Sequence, residues 1–174
     1  LSEARASPRR VLEVGCSVGA FTRVLLDIGS GHVTAVDISS VALRRARRGL
    51  ARASERAADV ELVCADLFAD ELPAGRFDLI VAMDVLGYTA SLDVLSGLCA
   101  RMRDRLSSDG LILLGNTRLR AQDGEGFEPF ASGFPKLGAR AILEAFSRGA
   151  QHVDALEDPK WRLDLLAYPQ RDGG

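Results

Sequence analysis

A short apolar segment that turns directly into a helix is the feature that most constrains the fold of this chain. Residues 11–14 read Val-Leu-Glu-Val, residues 15–19 read Gly-Cys-Ser-Val-Gly, and helical periodicity begins at Ala20. This pattern predicts a buried strand, a tight glycine turn and a helix. Glycine lets the backbone approach a ligand closely, and the first turn of a helix offers unpaired N–H groups. We therefore expect a nucleotide or nucleoside to bind at this turn.

The rest of the chain repeats the alternation of strand and helix patterns. Predicted strands are Val11–Val14, His32–Asp37, Val60–Cys64, Phe77–Ala82, Leu111–Leu114, Gln151–Leu156 and Trp161–Tyr168. Predicted helices are Ala20–Ile28, one from Ser39 or Ser40 to about Ala53, one carrying Leu95, Leu98, Cys99, Met102 and Leu106, and Leu137–Arg148. We expect Asp109-Gly110 to turn the chain into the fifth strand and the last two strands to pair antiparallel. Such an order predicts one α/β domain over residues 1–174, with a doubly wound, mostly parallel sheet whose strands end at one ligand-binding edge.

The composition of the chain predicts its cellular compartment and which partners it lacks. Its net charge of −2 predicts no nucleic-acid partner, and no apolar run reaches the ~20 residues that a membrane span needs. The three cysteines, Cys16, Cys64 and Cys99, are too widely spaced for a metal cluster and odd in number. We therefore predict a cytoplasmic protein without a metal ion.

Carboxylates follow or interrupt several of the predicted strands. Asp37 ends the second strand about twenty residues after the glycine turn, a spacing that suits a contact to both hydroxyls of a ribose. Glu13 lies inside an apolar strand and needs a loop N–H or a ligand cation as a partner. Asp66 follows the third strand and is placed either to bind the amine of a base or to cap a turn. Ile38, Leu67 and Phe68 are candidate apolar walls around that base.

The spacing of the glycines narrows the choice of ligand. A dinucleotide-binding turn reads G-x-G-x-x-G, whereas here Gly15 and Gly19 are separated by three residues without the middle glycine. The chain also lacks the G-x-x-x-x-G-K-[ST] pattern of a phosphate loop. We therefore expect a nucleoside without phosphates rather than a nicotinamide dinucleotide.

These motifs, in this order, resemble those of class I S-adenosylmethionine-dependent methyltransferases. The resemblance rests on residues 13–19, Asp37, the Ala-Asp-Leu sequence at residues 65–67, residues 77–81 and Asp109-Gly110. It extends from about Val11 to Tyr168. It implies a Rossmann-like, seven-stranded sheet completed by the C-terminal hairpin. Ser17 in the glycine turn and the sequence WRLDLL near the end are similar to the nodulation protein S group, which N-methylates an amino sugar. Members of the group usually carry helices before the first strand, so we expect this cap to be missing or truncated here.

The resemblance also implies a set of site residues. S-adenosylmethionine is the implied cofactor, and S-adenosylhomocysteine is its product. The residues implied to surround the cofactor are Glu13, Gly15, Cys16, Ser17, Gly19, Asp37, Ile38, Asp66, Leu67 and Met83. Cys16 is a possible nucleophile by residue type, but its place in the cofactor loop, with no histidine placed beside it by the sequence, favours a packing or backbone role.

Candidate acceptor residues follow the fourth and fifth strands. We predict Asp84 and Tyr88 as the catalytic pair: Asp84 orients an amine and takes its proton, and Tyr88 hydrogen-bonds the acceptor. Asp84 as a turn cap and Tyr88 as a packing residue are the alternatives. Asn116 and Arg118 are candidate contacts to the acceptor, and His152 is a weaker candidate base.

The predicted function is methyl transfer to a small molecule, with an amine ahead of a hydroxyl as the acceptor. The alternatives are a small-molecule O-methyltransferase and a non-catalytic methyltransferase-like domain that binds the cofactor or a partner enzyme. Residues 122–133, which fit no regular element, are predicted to form a mobile loop that contributes to the acceptor pocket. The sequence does not fix the acceptor or the oligomeric state.

Overall fold

The computed structural model describes residues 7–89, 91–119 and 137–169. Seven strands form one sheet: β1 Arg10–Val14, β2 His32–Asp37, β3 Val60–Cys64, β4 Phe77–Met83, β5 Leu106–Thr117, β6 Gln151–Glu157 and β7 Trp161–Ala167. Four α-helices accompany them: α1 Ala20–Asp27, α2 Ser40–Ala53, α3 Leu92–Asp104 and α4 Ala139–Phe146. Short 3₁₀ turns occupy Glu55–Asp59 and Leu86–Tyr88.

The order of the strands across the sheet is β3-β2-β1-β4-β5-β7-β6. Strands β1 to β5 pair in parallel, whereas β7 runs antiparallel to both β5 and β6. The predicted doubly wound sheet with an antiparallel C-terminal hairpin is therefore confirmed. Successive strands are added on one side of β1 up to β3 and on its other side from β4 onward, so the strand order reverses between β1 and β4. Ligands bind at this place in open α/β sheets.

Apolar residues cover both faces of the sheet. On one face, Leu12, Ile80 and Ile112 pack with the apolar stripes of α3 and α4, including Met102 and Phe146. The core of the other face contains strand and helix residues, which are Val11, Val33, Ala35, Val81, Leu25, Leu26, Leu43 and Leu50. Burial of both faces explains why the parallel strands read as nearly continuous apolar runs.

Serine or glycine residues precede the first three helices. The Ser39 side chain accepts the Ala42 N–H at 3.2 Å and so caps α2, and Ser91 caps α3 through the Val94 N–H at 3.3 Å. Gly19 precedes α1 with φ at 81°, a conformation that costs glycine little.

Two predicted details are wrong. Asp109-Gly110 lies inside β5, which begins at Leu106, so the chain turns from α3 into this strand at Arg105. The pairing of β5 with β4 shifts register between Leu106 and Leu111. Leu106 belongs to this strand instead of the α3 stripe, because α3 ends at Asp104. A Cβ on Gly110 would lie 2.8 Å from the Phe77 carbonyl oxygen and 3.1 Å from the Ser107 nitrogen, so this glycine permits close contact with β4 and within the irregular part of β5.

The end of β5 lies at Thr117, about three residues past the predicted Leu114. The other predicted boundaries agree within one or two residues, and His32 begins β2 at the edge opposite the predicted site. The predicted loop at 122–133 lies outside the described residues. Among the described residues, no helix has the length and apolar character needed to span a membrane.

Candidate cofactor and acceptor site

The glycine turn after β1 packs directly against the neighbouring strands. The N–H groups of Gly15 and Cys16 both donate to the Val36 carbonyl, at 2.8 and 2.9 Å. A Cβ on Gly15 would lie 2.5 Å from a methyl group of Val85, so only glycine allows the turn to contact the segment after β4. The predicted cofactor turn and the predicted acceptor segment are therefore in contact.

Asp37 connects this turn to the start of α2. Its Oδ2 accepts the Ser17 N–H at 2.8 Å and its Oδ1 accepts the Ser39 N–H at 2.8 Å. Each carboxylate oxygen has a further lone pair, so the group can also accept hydrogen bonds from a pair of hydroxyls. Ser17 adopts a left-handed φ of 50°, a conformation that glycine adopts more readily. The carboxylate thus holds a strained turn in place at the end of β2.

Glu13 is a buried carboxyl in the middle of β1. It is 2% exposed, and its Oε2 accepts the hydroxyl of buried Thr22 on α1 at 2.6 Å. Burial raises the pKa of Glu13 to about 7; the Thr22 hydrogen bond opposes this shift, and the charge of Asp37 adds to it. A group with this pKa changes its charge near neutral pH, and a neighbouring cation favours its ionised form.

Cys16 lies beside these two carboxylates but is not a nucleophile. Burial, together with the charges of Glu13 and Asp37, raises the pKa of its thiol to about 12. Because the thiolate is the reactive form, the thiol is inert at neutral pH. The structure places Cys16 in the apolar core beneath the turn, as the packing interpretation predicts.

The predicted base-binding residues occupy different environments. Asp66 caps its own turn by accepting the Phe68 N–H at 2.9 Å. Leu67 is 5% exposed and packs in the core, whereas Ile38 is 65% exposed. The exposed apolar surface at this position therefore comes from Ile38 rather than from Leu67.

Asp84 follows β4 in a strained conformation. Its φ is 52°, and its backbone N–H donates to the Gly115 carbonyl at 2.6 Å. Its Oδ1 accepts the Thr117 hydroxyl at 2.8 Å and the Thr117 N–H at 3.3 Å. Its Oδ2 accepts no hydrogen bond from the described part of the chain, so this oxygen remains available to a ligand.

The other predicted acceptor residues are distributed unevenly. Tyr88, in the 3₁₀ turn after Asp84, is 53% exposed, and Asn116 is 3% exposed with no partner for its side-chain oxygen among the described residues. Arg118 donates to the Asp158 carbonyl at 2.9 Å. His152 lies away from this edge on the outer strand β6, where its Nε2 is 2.8 Å from Asp164 Oδ1.

The contact between Val85 and Gly15 depends on how two loops meet in space, so no sequence pattern indicates it. Thr117 was missed because no local pattern indicates that it binds Asp84, although it ends a strand at the ligand edge. In the three described ranges, no group of three or more His, Cys, Asp or Glu side chains is placed to hold a metal ion.

A cleft of about 630 Å³ lies at the opposite edge of the sheet. Its lining includes Arg9, Asp78 and Ser107 and none of the predicted site residues. The Asp78 carboxylate accepts the N–H groups of Arg9 and Arg10 and the hydroxyl of Ser107, so its role there is to join β1, β4 and β5.

The site residues suit S-adenosylmethionine. The Asp37 carboxylate has lone pairs suited to hydroxyls, Ile38 has an exposed apolar surface, and a cation beside the buried Glu13 carboxyl would favour its ionised form. Gly15, which has no side chain, lets the turn lie against Val85 of the segment after β4. These features lie at the ends of β1, β2 and β4, beside the point where the order of the strands reverses.

Comparison with known proteins agrees with this geometry. Residues 11–110 match a family described as a methyltransferase domain. The chain is 31% identical over 146 residues to the 16S/23S rRNA (cytidine-2'-O)-methyltransferase TlyA of Mycobacterium tuberculosis, covering 83% of this chain and 50% of that protein. The chain thus spans about half the length of this relative.

Solved structures show the same fold at low sequence identity. The N-methyltransferase NodS from Bradyrhizobium japonicum WM9, with S-adenosylhomocysteine bound, superposes with a TM-score of 0.76 at 22% identity, covering 95% of this chain and 80% of that one. The glycopeptide N-methyltransferase MtfA, also with S-adenosylhomocysteine, gives a TM-score of 0.76 at 20% identity, covering 95% and 85%. The chain belongs to the methyltransferase domain family, and its fold is that of the class I S-adenosylmethionine-dependent methyltransferases.

Proposed function

We propose that this chain transfers a methyl group from S-adenosylmethionine to an amine of a small molecule. When bound, S-adenosylmethionine supplies a methyl group on a positively charged sulfur. Glu13, Gly15, Cys16, Ser17 and Gly19 surround the methionine part, and Met83 lies on the methyl-facing side. Asp37 holds the ribose, and Ile38, Asp66 and the backbone of the buried Leu67 contact the adenine. The free thiols of Cys16, Cys64 and Cys99 suit a reducing, cytoplasmic setting.

The observation that carries this proposal is the placement of Asp84. Its Oδ1 is held by Thr117, its Oδ2 is available, and its neighbour Val85 contacts Gly15 of the cofactor turn. An amine can attack only through its lone pair, so an ammonium must first lose a proton. Asp84 accepts that proton, directly or through water, and keeps the nitrogen oriented. Tyr88 hydrogen-bonds the acceptor from the exposed turn that follows.

Two structural neighbours support an amine acceptor, since both NodS and MtfA are N-methyltransferases. A second candidate follows from the rRNA relative, which methylates a 2'-hydroxyl of cytidine. The net charge of −2 disfavours RNA, because duplex binding depends on contacts between basic residues and phosphates. O-methylation of a small molecule and cofactor binding without catalysis are two further candidates.

Calorimetry with S-adenosylhomocysteine, followed by methylation assays, separates these functions. We expect saturable binding of S-adenosylhomocysteine, and methylated product from small amines but not from rRNA transcripts or neutral hydroxyl analogues. Methylation of RNA alone would select the second candidate. Binding without product from any acceptor would support a non-catalytic domain, and failure of S-adenosylhomocysteine to bind would remove the basis of the proposal.

A further inference from the structure

One large aromatic residue lies beside the proposed acceptor position. Trp161, the first residue of β7, is the register partner of Thr117, the last residue of β5. Directly opposed residues of an antiparallel pair place their side chains on the same face of the sheet. Since Thr117 also binds Asp84, three adjacent strands place Asp84, Thr117 and Trp161 in a row. At about 4.8 Å per strand, the backbones of Asp84 and Trp161 are roughly 10 Å apart, which leaves room for a ligand over Thr117.

Backbone hydrogen bonds fix the turn that carries Trp161. Asp158 Oδ1 accepts the N–H groups of Lys160 and Trp161 at 2.6 and 2.8 Å, and the Asp158 N–H donates to the Trp161 carbonyl at 2.9 Å. Arg118, directly after β5, donates to the Asp158 carbonyl through its side chain and to the Lys160 carbonyl through its N–H. The turn is therefore tied to β5 without help from the indole, which is 40% exposed. An exposed aromatic on a fixed backbone is preorganised to contact a ligand.

An apolar floor lies below Thr117 on the same face. A Cβ on Gly115 would lie 2.5 Å from the sulfur and terminal methyl of Met83 and 2.8 Å from a methyl of Leu163. These two side chains therefore close over Gly115, two residues before Thr117. The surface beside Thr117 thus combines an apolar floor, a carboxylate on one side and an indole on the other.

We propose that Asp84, Thr117 and Trp161 form the acceptor subsite, and that it takes an organic amine in its ammonium form between the carboxylate and the indole. The proposal rests on the methyltransferase function proposed above and adds Trp161 as the residue that selects a cationic nitrogen. The Asp84 carboxylate supplies a charged hydrogen-bond acceptor, and the indole face attracts a cation through its quadrupole. A neutral hydroxyl of the same shape lacks both attractions.

The chain contains one tryptophan, so its fluorescence reports on this subsite directly. We would load the protein with S-adenosylhomocysteine and titrate it with benzylamine and glucosamine, using benzyl alcohol and N-acetylglucosamine as matched neutral probes. We expect at least one of the amines to change the tryptophan emission saturably, and its neutral analogue to bind at least about fivefold more weakly.

Variants test the two sides of the subsite by calorimetry. Trp161→Ala should weaken amine binding about fivefold or more, Trp161→Phe should weaken it less, and Asp84→Asn should weaken it about tenfold or more. Leu156→Ala is the control, because Leu156 is 70% exposed on the adjacent strand β6 but lies outside the row. It should leave amine binding unchanged. Melting curves and binding of S-adenosylhomocysteine establish that each variant is folded.

Each contrary result overturns a defined part of the account. If the loaded protein binds neither amine, or if Trp161→Ala and Trp161→Phe retain full amine affinity, the subsite is wrong while the cofactor assignment stands. Equal binding of amines and neutral analogues would remove the selection for a cation. Failure of the wild-type protein to bind S-adenosylhomocysteine would instead overturn the proposed function itself.

Discussion

The two halves of the sheet build their parts of the site in different ways. Around β1 and β2, the contacts are backbone N–H groups that converge on a carbonyl or on the Asp37 carboxylate. Around β4 and β5, the contact is between the side chains of Asp84 and Thr117, and Trp161 of β7 lies opposite Thr117 in the strand register. A site formed by backbone groups depends on the conformation of the chain, whereas a site formed by side chains depends on which residues are present. Substitutions in the two halves should therefore affect different measurements.

The largest difference is expected at Asp84. Asp84→Asn removes the proton acceptor and should lower the rate of methyl transfer about 10²- to 10⁴-fold. Affinity for S-adenosylhomocysteine should change less than about threefold, since the contacts around β1 and β2 remain intact. Single-turnover rates and calorimetry measure the two effects, and Asp27→Asn, in an exposed pair with Arg23, is the control. A large loss of cofactor affinity would indicate that Asp84 binds the cofactor instead.

Glu13 should make the stability of the cofactor-free protein depend on pH. Its folded pKa of about 7 is above the ordinary value of 4.5, so its stabilising contribution is complete below pH 4.5 and is lost as the pH rises through 7. Glu13→Gln should remove this loss, which amounts to roughly 3 kcal/mol of unfolding free energy. Urea unfolding at low and high pH measures it. Wild-type and variant curves with the same pH dependence would contradict the assignment.

Asp37 should control cofactor affinity. Asp37→Asn loses a charged acceptor for the Ser17 and Ser39 N–H groups and for the ribose. Because hydrogen bonds to charged groups contribute about 1.5–3 kcal/mol, binding of S-adenosylhomocysteine should weaken about 10- to 100-fold. Calorimetry is the measurement. Unchanged affinity in a folded variant would show that the ribose binds elsewhere.

Thr117 should affect catalysis without affecting the cofactor. Thr117→Val keeps the shape of the side chain but removes the hydroxyl that donates to Asp84 Oδ1. We expect the rate to fall about tenfold, with S-adenosylhomocysteine affinity unchanged. Thr117→Ser, which restores the hydroxyl, should recover most of the rate. An equal loss in the serine variant would indicate a packing role for Thr117.

The smallest effect is expected at Ser17. Ser17→Gly relieves the cost of a left-handed serine, about 1–2 kcal/mol, but adds entropy to the unfolded chain of about 0.5–1 kcal/mol. The net change in unfolding free energy should be below about 1 kcal/mol. Cofactor affinity should stay within about twofold, because the Ser17 backbone and not its hydroxyl binds Asp37. A large loss of affinity would show that the Ser17 hydroxyl binds the cofactor.

The same contrast explains how much of the molecule was predictable from its sequence. The glycine turn, Asp37 and the apolar strands carry local patterns, and the predicted strands β2 and β3 agree with the structure to the residue. The start of β5 was not predictable, because Asp109-Gly110 is a turn signal that lies inside the strand, at the register shift in its pairing with β4. Thr117 and Trp161 were not predictable as site residues, since they meet only through the register of β5 and β7.

The residues around β1 and β2 should hold the cofactor with its sulfur toward the Asp84 carboxylate, which accepts the Thr117 hydroxyl. A crystal structure with S-adenosylhomocysteine bound tests this most directly. We predict the ribose at Asp37, the sulfur facing Asp84, and space for an acceptor between the sulfur and Trp161. A cofactor whose sulfur faces neither Asp84 nor Tyr88 would contradict the account.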